Sequence, residues 1–200
     1  IFNDTIWQMS PSDISYCEKQ IEINDFEISH APQYILIDGI ASNREEDELK
    51  IQLNDVDLDY IFGTLNIKNV TFGGNATGNL LATHLLTGAP RLSTEQFDVK
   101  DFSYNEAIFG DLHLFSMWDN DNQGILMKGF IENKEDKQTY IDGYIFPTKD
   151  SLSLSFDPDK LNIAFLRPFV STVMSDISGI ASGHIDFFGR FKALNVTGDA

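Results

Sequence analysis

The stretch "GILMKGFIENKEDKQTYIDGYIFP", Gly124 to Pro147, decides how the rest of the chain is read. "GILMKGFIEN" and "QTYIDGYIFP" are apolar-rich runs in a chain dominated by period-two alternation, and they are separated by the polar run "NKEDK". Alternation with a period of two places successive side chains on opposite faces of a strand, and two such runs around a short polar break predict a β-hairpin.

The same pattern extends in both directions. "KQIEINDFEI" (Lys19–Ile28) sets out Ile21, Ile23, Phe26 and Ile28 with one slip at Asn24-Asp25, as a turn or bulge would give. "QYILIDGIAS" follows Pro32, and "DELKIQLNDVDL" aligns Leu49, Ile51 and Leu53. "STEQFDVKDFSY" continues the theme. "AIFGDLHLFSMW" sets Leu112 and Leu114 against His113 and Phe115, and "DSLSLSF" alternates strictly. Many short strands with polar turns and no strand–helix rhythm predict a mainly β fold. One segment departs: Leu161, Phe165, Phe169, Val173 and Ile177 recur every four residues within 159–178, which predicts an amphipathic helix, kinked or split at Pro168.

Composition narrows the function. The 200 residues carry 31 acidic and 14 basic side chains, a net charge of −17, so the outer surface repels nucleic-acid phosphates and anionic headgroups. The 42% hydrophobic content is enough for a sizeable apolar core or interior. Cys17 is the single cysteine, so no internal disulfide framework exists. The chain opens at Ile1 in strand-like sequence (IFNDTIWQM), which predicts a segment of a longer protein.

Candidate chemistry is sparse. Asp119, Asp121, Gln123 and Gly124 imitate the start of a calcium loop, but the twelfth position is Phe130 where a bidentate Glu is required, and a polar hairpin turn explains the same residues. His30, His84, His113 and His184 have no ligand spacing with one another. No nucleophile elbow, cysteine signature or paired-carboxylate motif is present, so the expectation is a protein without catalysis, cofactor or metal.

Two segments share a layout. Leu49/Ile51/Leu53 corresponds to Leu152/Leu154/Phe156, and, after a two-residue shift, Gly74 and Gly78 correspond to Gly179 and Gly183. Copies over about 48–100 and 151–200 predict one extended β segment, 1–200, of a repeat protein. Glycine within strands marks bends or close backbone approach, so these four are read as points where a sheet curls.

"SGIASGHIDFFGRFKALNVTGDA" (Ser178–Ala200), with Gly179, Gly183, Gly189 and Gly198, resembles the glycine-marked repeat of the TamB family of translocation and assembly module proteins, an AsmA-like group. "FGGNATGNLLATHLLTGAPRL", with Gly74, Gly78, Gly88 and Pro90, fits the same pattern; "RFKALNV" lacks the proline often found in that turn. The likeness covers roughly Asp47 to Ala200. It implies a long, curled, antiparallel-rich sheet with an open, taco-like groove and one or two short amphipathic helices. It also implies a periplasmic protein of the Gram-negative envelope, anchored in the inner membrane, whose groove conducts phospholipids between the two membranes. A role in assembling outer-membrane proteins with a β-barrel partner is implied as well. Leu80, Ala82, Leu112 and Leu114 are then candidates for the surface against which acyl chains lie, and the last strand lacks a partner because the chain would continue. Two alternatives stand beside this: a strand-addition interaction module, and a carbohydrate- or surface-polymer-binding β domain using Trp7, Trp118, Tyr104, Tyr140 and Tyr144.

Overall fold

The computed structural model describes residues 6–65, 72–104, 107–133, 135, 137–162, 179–191 and 193–199. Fifteen strands follow in chain order: β1 (Gln8–Met9), β2 (Asp13–Cys17), β3 (Gln20–His30), β4 (Gln33–Ala41), β5 (Leu49–Asp57), β6 (Phe72–Thr83), β7 (Arg91–Tyr104), β8 (Ala107–Asp119), β9 (Gly124–Glu132), β10 (Gln138–Phe146), β11 (Ser151–Asp157), β12 (Leu161–Asn162), β13 (Ile180–Ala181), β14 (His184–Arg190) and β15 (Ala193–Asp199). Among the described residues one α-helix, α1 (Leu58–Leu65), stands between β5 and β6, and a single 3-10 turn, Pro147–Lys149, follows β10.

Thirteen strands form one antiparallel sheet that does not close into a barrel. β3 to β11 lie side by side in chain order, and β14 and β15 extend that series. β1 and β2 share the far side of β3 as two pieces of one edge. The expected hairpin is present, with Tyr140 opposite Phe130 and Ile141 opposite Gly129.

Strict antiparallel order sends β3, β5, β7, β9 and β11 in the same direction. The two longest connections, 58–71 after β5 and 158–183 after β11, therefore leave from the same margin of the sheet. Glu135 and Lys137, in the β9–β10 turn, form ion pairs with Lys160 and Asp159 of the second connection at 3.4 and 3.6 Å.

The helix expected over 159–178 is corrected at its start. Leu161–Asn162 is extended and pairs antiparallel with Ile180–Ala181. Residues 163–178 of that expectation lie outside the described residues. The helix that is described, α1, begins inside the alternating run Val56, Leu58, Tyr60, a spacing that a strand would also give. A local cap decides otherwise: the Asp59 N–H donates to Asp57 Oδ1 at 2.9 Å, the bond by which an N-cap carboxylate satisfies an orphan donor of the first turn. Buried Leu58, with Ile61 beside it, then packs on the sheet.

The curl has a visible cause. Asp25 in β3, Asp55 in β5 and Asp101 in β7 adopt left-handed backbone angles, φ +50, +52 and +50°. The pairing register slips at each of them, between Ile23 and Phe26, Leu53 and Val56, and Val99 and Phe102. Each frees a backbone N–H that the next strand accepts with a side chain: Asp38 Oδ1 at 3.2 Å, Thr77 Oγ1 at 3.0 Å and Asp111 Oδ1 at 2.9 Å. A bulge bends its strand and tightens the local twist, so three bulges on strands of one direction bend the sheet repeatedly the same way.

Gly129 in β9 sits so close to β8 that a Cβ would lie 2.2 Å from the His113 carbonyl oxygen, whereas a Cβ at Gly88 meets nothing within 4 Å. Gly129→Val should lower the unfolding free energy by about 1–3 kcal/mol, with Gly88→Ala within about 0.5 kcal/mol of the parent, in urea titrations followed by circular dichroism. Equal effects would mean that strand contact at Gly129 does not limit the fold.

Candidate functional site

Cross-strand register defines two faces. One row runs Met9, Ile28, Ile35, Leu53, Gly78, Phe97, Leu114, Gly129, Ile141, Phe156, Ile185, Gly198, each residue opposite the next. This row crosses twelve strands without a polar side chain, and at the usual strand spacing it spans roughly 50 Å. Neighbouring rows extend the face. Val56, Ala76, Val99, Leu112 and Ile131 run toward the α1 margin, and Ile37, Ile51 and Leu80 run away from it.

The four residues read from sequence as lipid-facing share this face. Leu80 lies opposite Ile51, Ala82 opposite Leu49, Leu112 between Val99 and Ile131, and Leu114 between Phe97 and Gly129. Ala82 and Leu112 are buried; Leu80 and Leu114 are half-buried. The strand hydrophobics that are buried all belong to this face by register; Leu58 and Ile61 of α1 pack against one cluster of them, and Leu85 against another formed by Ala41, Leu49 and Ala82. The face is therefore the inner one.

Cover is uneven along it. Near α1 the residues are packed: Val56 is fully buried, and Phe72, Phe102, Tyr104 and Phe109 form a ladder of rings with neighbouring centroids 5.4–6.1 Å apart. Trp7 meets Tyr60 of α1 edge-on at 5.8 Å. Away from α1, Ile37, Ile51, Leu80, Phe97, Leu114, Met127, Ile145, Leu152 and Leu154 stay half-exposed. At the β1–β2 edge the face opens fully, with Met9, Ile14 and Tyr16 at 68, 59 and 72% exposure.

The sheet-bending glycines divide. Gly74 (φ +116°) and Gly78 stand within β6 at register shifts. Gly179 and Gly183 flank β13, outside the large sheet, and the Gly183 N–H donates to the Pro158 carbonyl at 3.2 Å. The shared strand layout thus does not carry its glycines to matching places. The bulge sequence is read at Asn24-Asp25 and missed at its two counterparts, Asn54-Asp55-Val56 and Lys100-Asp101-Phe102.

The opposite face holds the polar chemistry. His184 Nδ1 lies 2.6 Å from Asp157 Oδ1 and its Nε2 lies 3.1 Å from Asp186 Oδ1, so the ring bridges β11 and β14. The hydrogen bond with Asp157, and then the two negative charges, hold its pKa above the ordinary value. Ser155 donates to Asp186 at 2.5 Å, so its hydroxyl is tied to a carboxylate rather than to the imidazole that would activate it. The calcium-like string is a hairpin turn: Asp119 Oδ1 accepts the N–H groups of Asp121 and Asn122, and Oδ2 accepts from the Asn122 amide and the Tyr144 hydroxyl. The five aromatics proposed for sugar binding do not form one surface. Trp7 and Tyr104 pack toward the inner core, Trp118 lies under Arg91 at 4.6 Å, and Tyr140 and Tyr144 belong to the polar face.

No helix among the described residues is long and apolar enough to cross a membrane, and no cluster of three metal-binding side chains occurs among them. Comparison with family models, curated proteins and solved structures finds no match to this chain.

The bonds from Asn122 and Tyr144 hold the Asp119 carboxyl at about 2, well below the ordinary carboxylate value. A depressed folded-state pKa stabilises the hairpin above the unfolded value and loses that contribution as pH falls toward 2. Carboxyl carbon NMR should show Asp119 titrating near pH 2; a midpoint near 4 would mean that the turn bonds do not persist in solution.

Proposed function

We propose that this chain is a segment of a non-catalytic, TamB-like lipid conduit, whose inner face carries phospholipid acyl chains across successive strands while headgroups stay at the rim in water. One observation carries the reading: the unbroken apolar row from Met9 to Gly198, half-exposed over much of its length and lined by Leu80 and Leu114. Such a row offers acyl chains about 0.8 kcal/mol per buried methylene with no polar side chain along it to desolvate. Because the contact is apolar and undirected, it suits a ligand that slides.

The resemblance supplies the setting within the same proposal. The full-length protein spans the Gram-negative periplasm from an inner-membrane anchor, passing phospholipid between membranes, and assists outer-membrane protein assembly with a β-barrel partner. A second reading, strand addition, is favoured by the outer edge of β15, which has no partner strand among the described residues.

Native mass spectrometry of the purified chain, with lipid extraction, tests the conduit. Phospholipid should co-purify. Leu80→Asp and Leu114→Asp should each reduce bound lipid by at least about tenfold, the scale of exchanging several methylene contacts for a charge. Met117→Asp, on the opposite face, should leave it unchanged. Equal lipid on all variants that keep β-type circular dichroism would contradict the assignment.

A further inference from the structure

On the outer face, β7 to β10 interrupt the polar surface with rings. His113 lies opposite Phe130 and Phe130 opposite Tyr140, so three rings from three strands form a line across the sheet. Their centroids are 4.7 and 6.4 Å apart. Phe115 stands in the neighbouring row, and Tyr140 is 55% exposed. Beside them is a shallow cleft of about 410 Å³ lined by Glu95, Asp98, His113, Phe115, Lys128 and Phe130.

The groups around the rings are mostly carboxylates. Asp98 is held in place, accepting from the Gln96 amide at 2.6 Å and lying 2.7 Å from His113 Nδ1. Glu95 is exposed, and Asp142 lies across from Lys128, the cleft's one fixed cation, at 3.5 Å. His113 shows the local chemistry in miniature: a ring able to carry positive charge, set between a carboxylate and an aromatic face.

From this juxtaposition we infer that the outer face of β7–β10 docks an arginine-bearing segment of a partner protein. Charge complementarity chooses the occupant. A surface of net charge −17 repels anionic polymers, and aromatic faces beside carboxylates favour a cation. Guanidinium fits better than ammonium because it is planar, stacks on rings and meets a carboxylate with two parallel donors. The site is on the face opposite the apolar row, so it is independent of lipid occupancy.

Fluorescence anisotropy of a labelled nona-arginine peptide with the intact chain tests the inference. Two substitution pairs separate a local site from the general acidic field. Glu95→Gln with Asp142→Asn removes one charge that lines the cleft and one that pairs with its Lys128, and little packing. Glu22→Gln with Asp13→Asn removes two at the β2–β3 edge. The cleft pair should weaken binding about tenfold and the edge pair less than twofold, and Tyr140→Ala should weaken it several-fold, as loss of a cation–π contact does. Equal weakening by both pairs, or no binding at low salt, would overturn the inference. So would binding of a neutral hexose oligomer that Tyr140→Ala abolishes while arginine binding persists.

Discussion

A wide single-layer sheet has one face too apolar for water, and every other feature here follows from where that face is put. Globular β domains usually resolve the conflict with a second layer. The only second sheet among the described residues is the two-stranded pair β12–β13. Bulges that curl the large sheet take the place of a broad second layer. Burial is complete beside α1, at Val56 and Ala76, and again toward the opposite margin, at Ala82, and it is incomplete between them, at Leu80, Phe97 and Leu114. The half-buried state is thus a consequence of architecture rather than of poor packing.

Bending a sheet this way has local requirements, and the polar residues meet them. Asp25, Asp55 and Asp101 take the left-handed conformation that short polar side chains tolerate, and Asp38, Thr77 and Asp111 accept the N–H groups the bulges release. The outer face is stitched in the same style. His184 links β11 to β14, and Asp119 gathers the β8–β9 turn against Tyr144 of β10. Much of the acidic surplus therefore has structural work on the outside, leaving the inside free of charge.

Alternation made the strands legible, because a period of two survives any register, and it placed Leu112 and Leu114 on the face opposite His113 before any pairing was known. The slip at Asn24-Asp25 was legible for the same reason, since it broke that period. Two things were not. α1 starts at a local cap on Asp57 inside a run, Val56, Leu58 and Tyr60, whose alternation continues through it and hides it. Which face is inner depends on the direction of bending, and alternation is symmetric between faces. Glycine spacing signals conformational freedom, not its use: Gly74 takes φ +116° at a register shift within β6, whereas Gly179 precedes β13, outside the large sheet.

The claim that the apolar face is an accessible lipid surface is tested most directly by photo-crosslinking along one strand. A photoreactive amino acid placed in turn at Leu112, His113, Leu114, Phe115, Ser116 and Met117 of β8 samples both faces in the full-length protein in cells. The account predicts phospholipid adducts that alternate, strong at Leu114 and Ser116 and weak at His113, Phe115 and Met117, with Leu112 shielded by its packing in the core. Adducts at neither set, or equally at both, would contradict it.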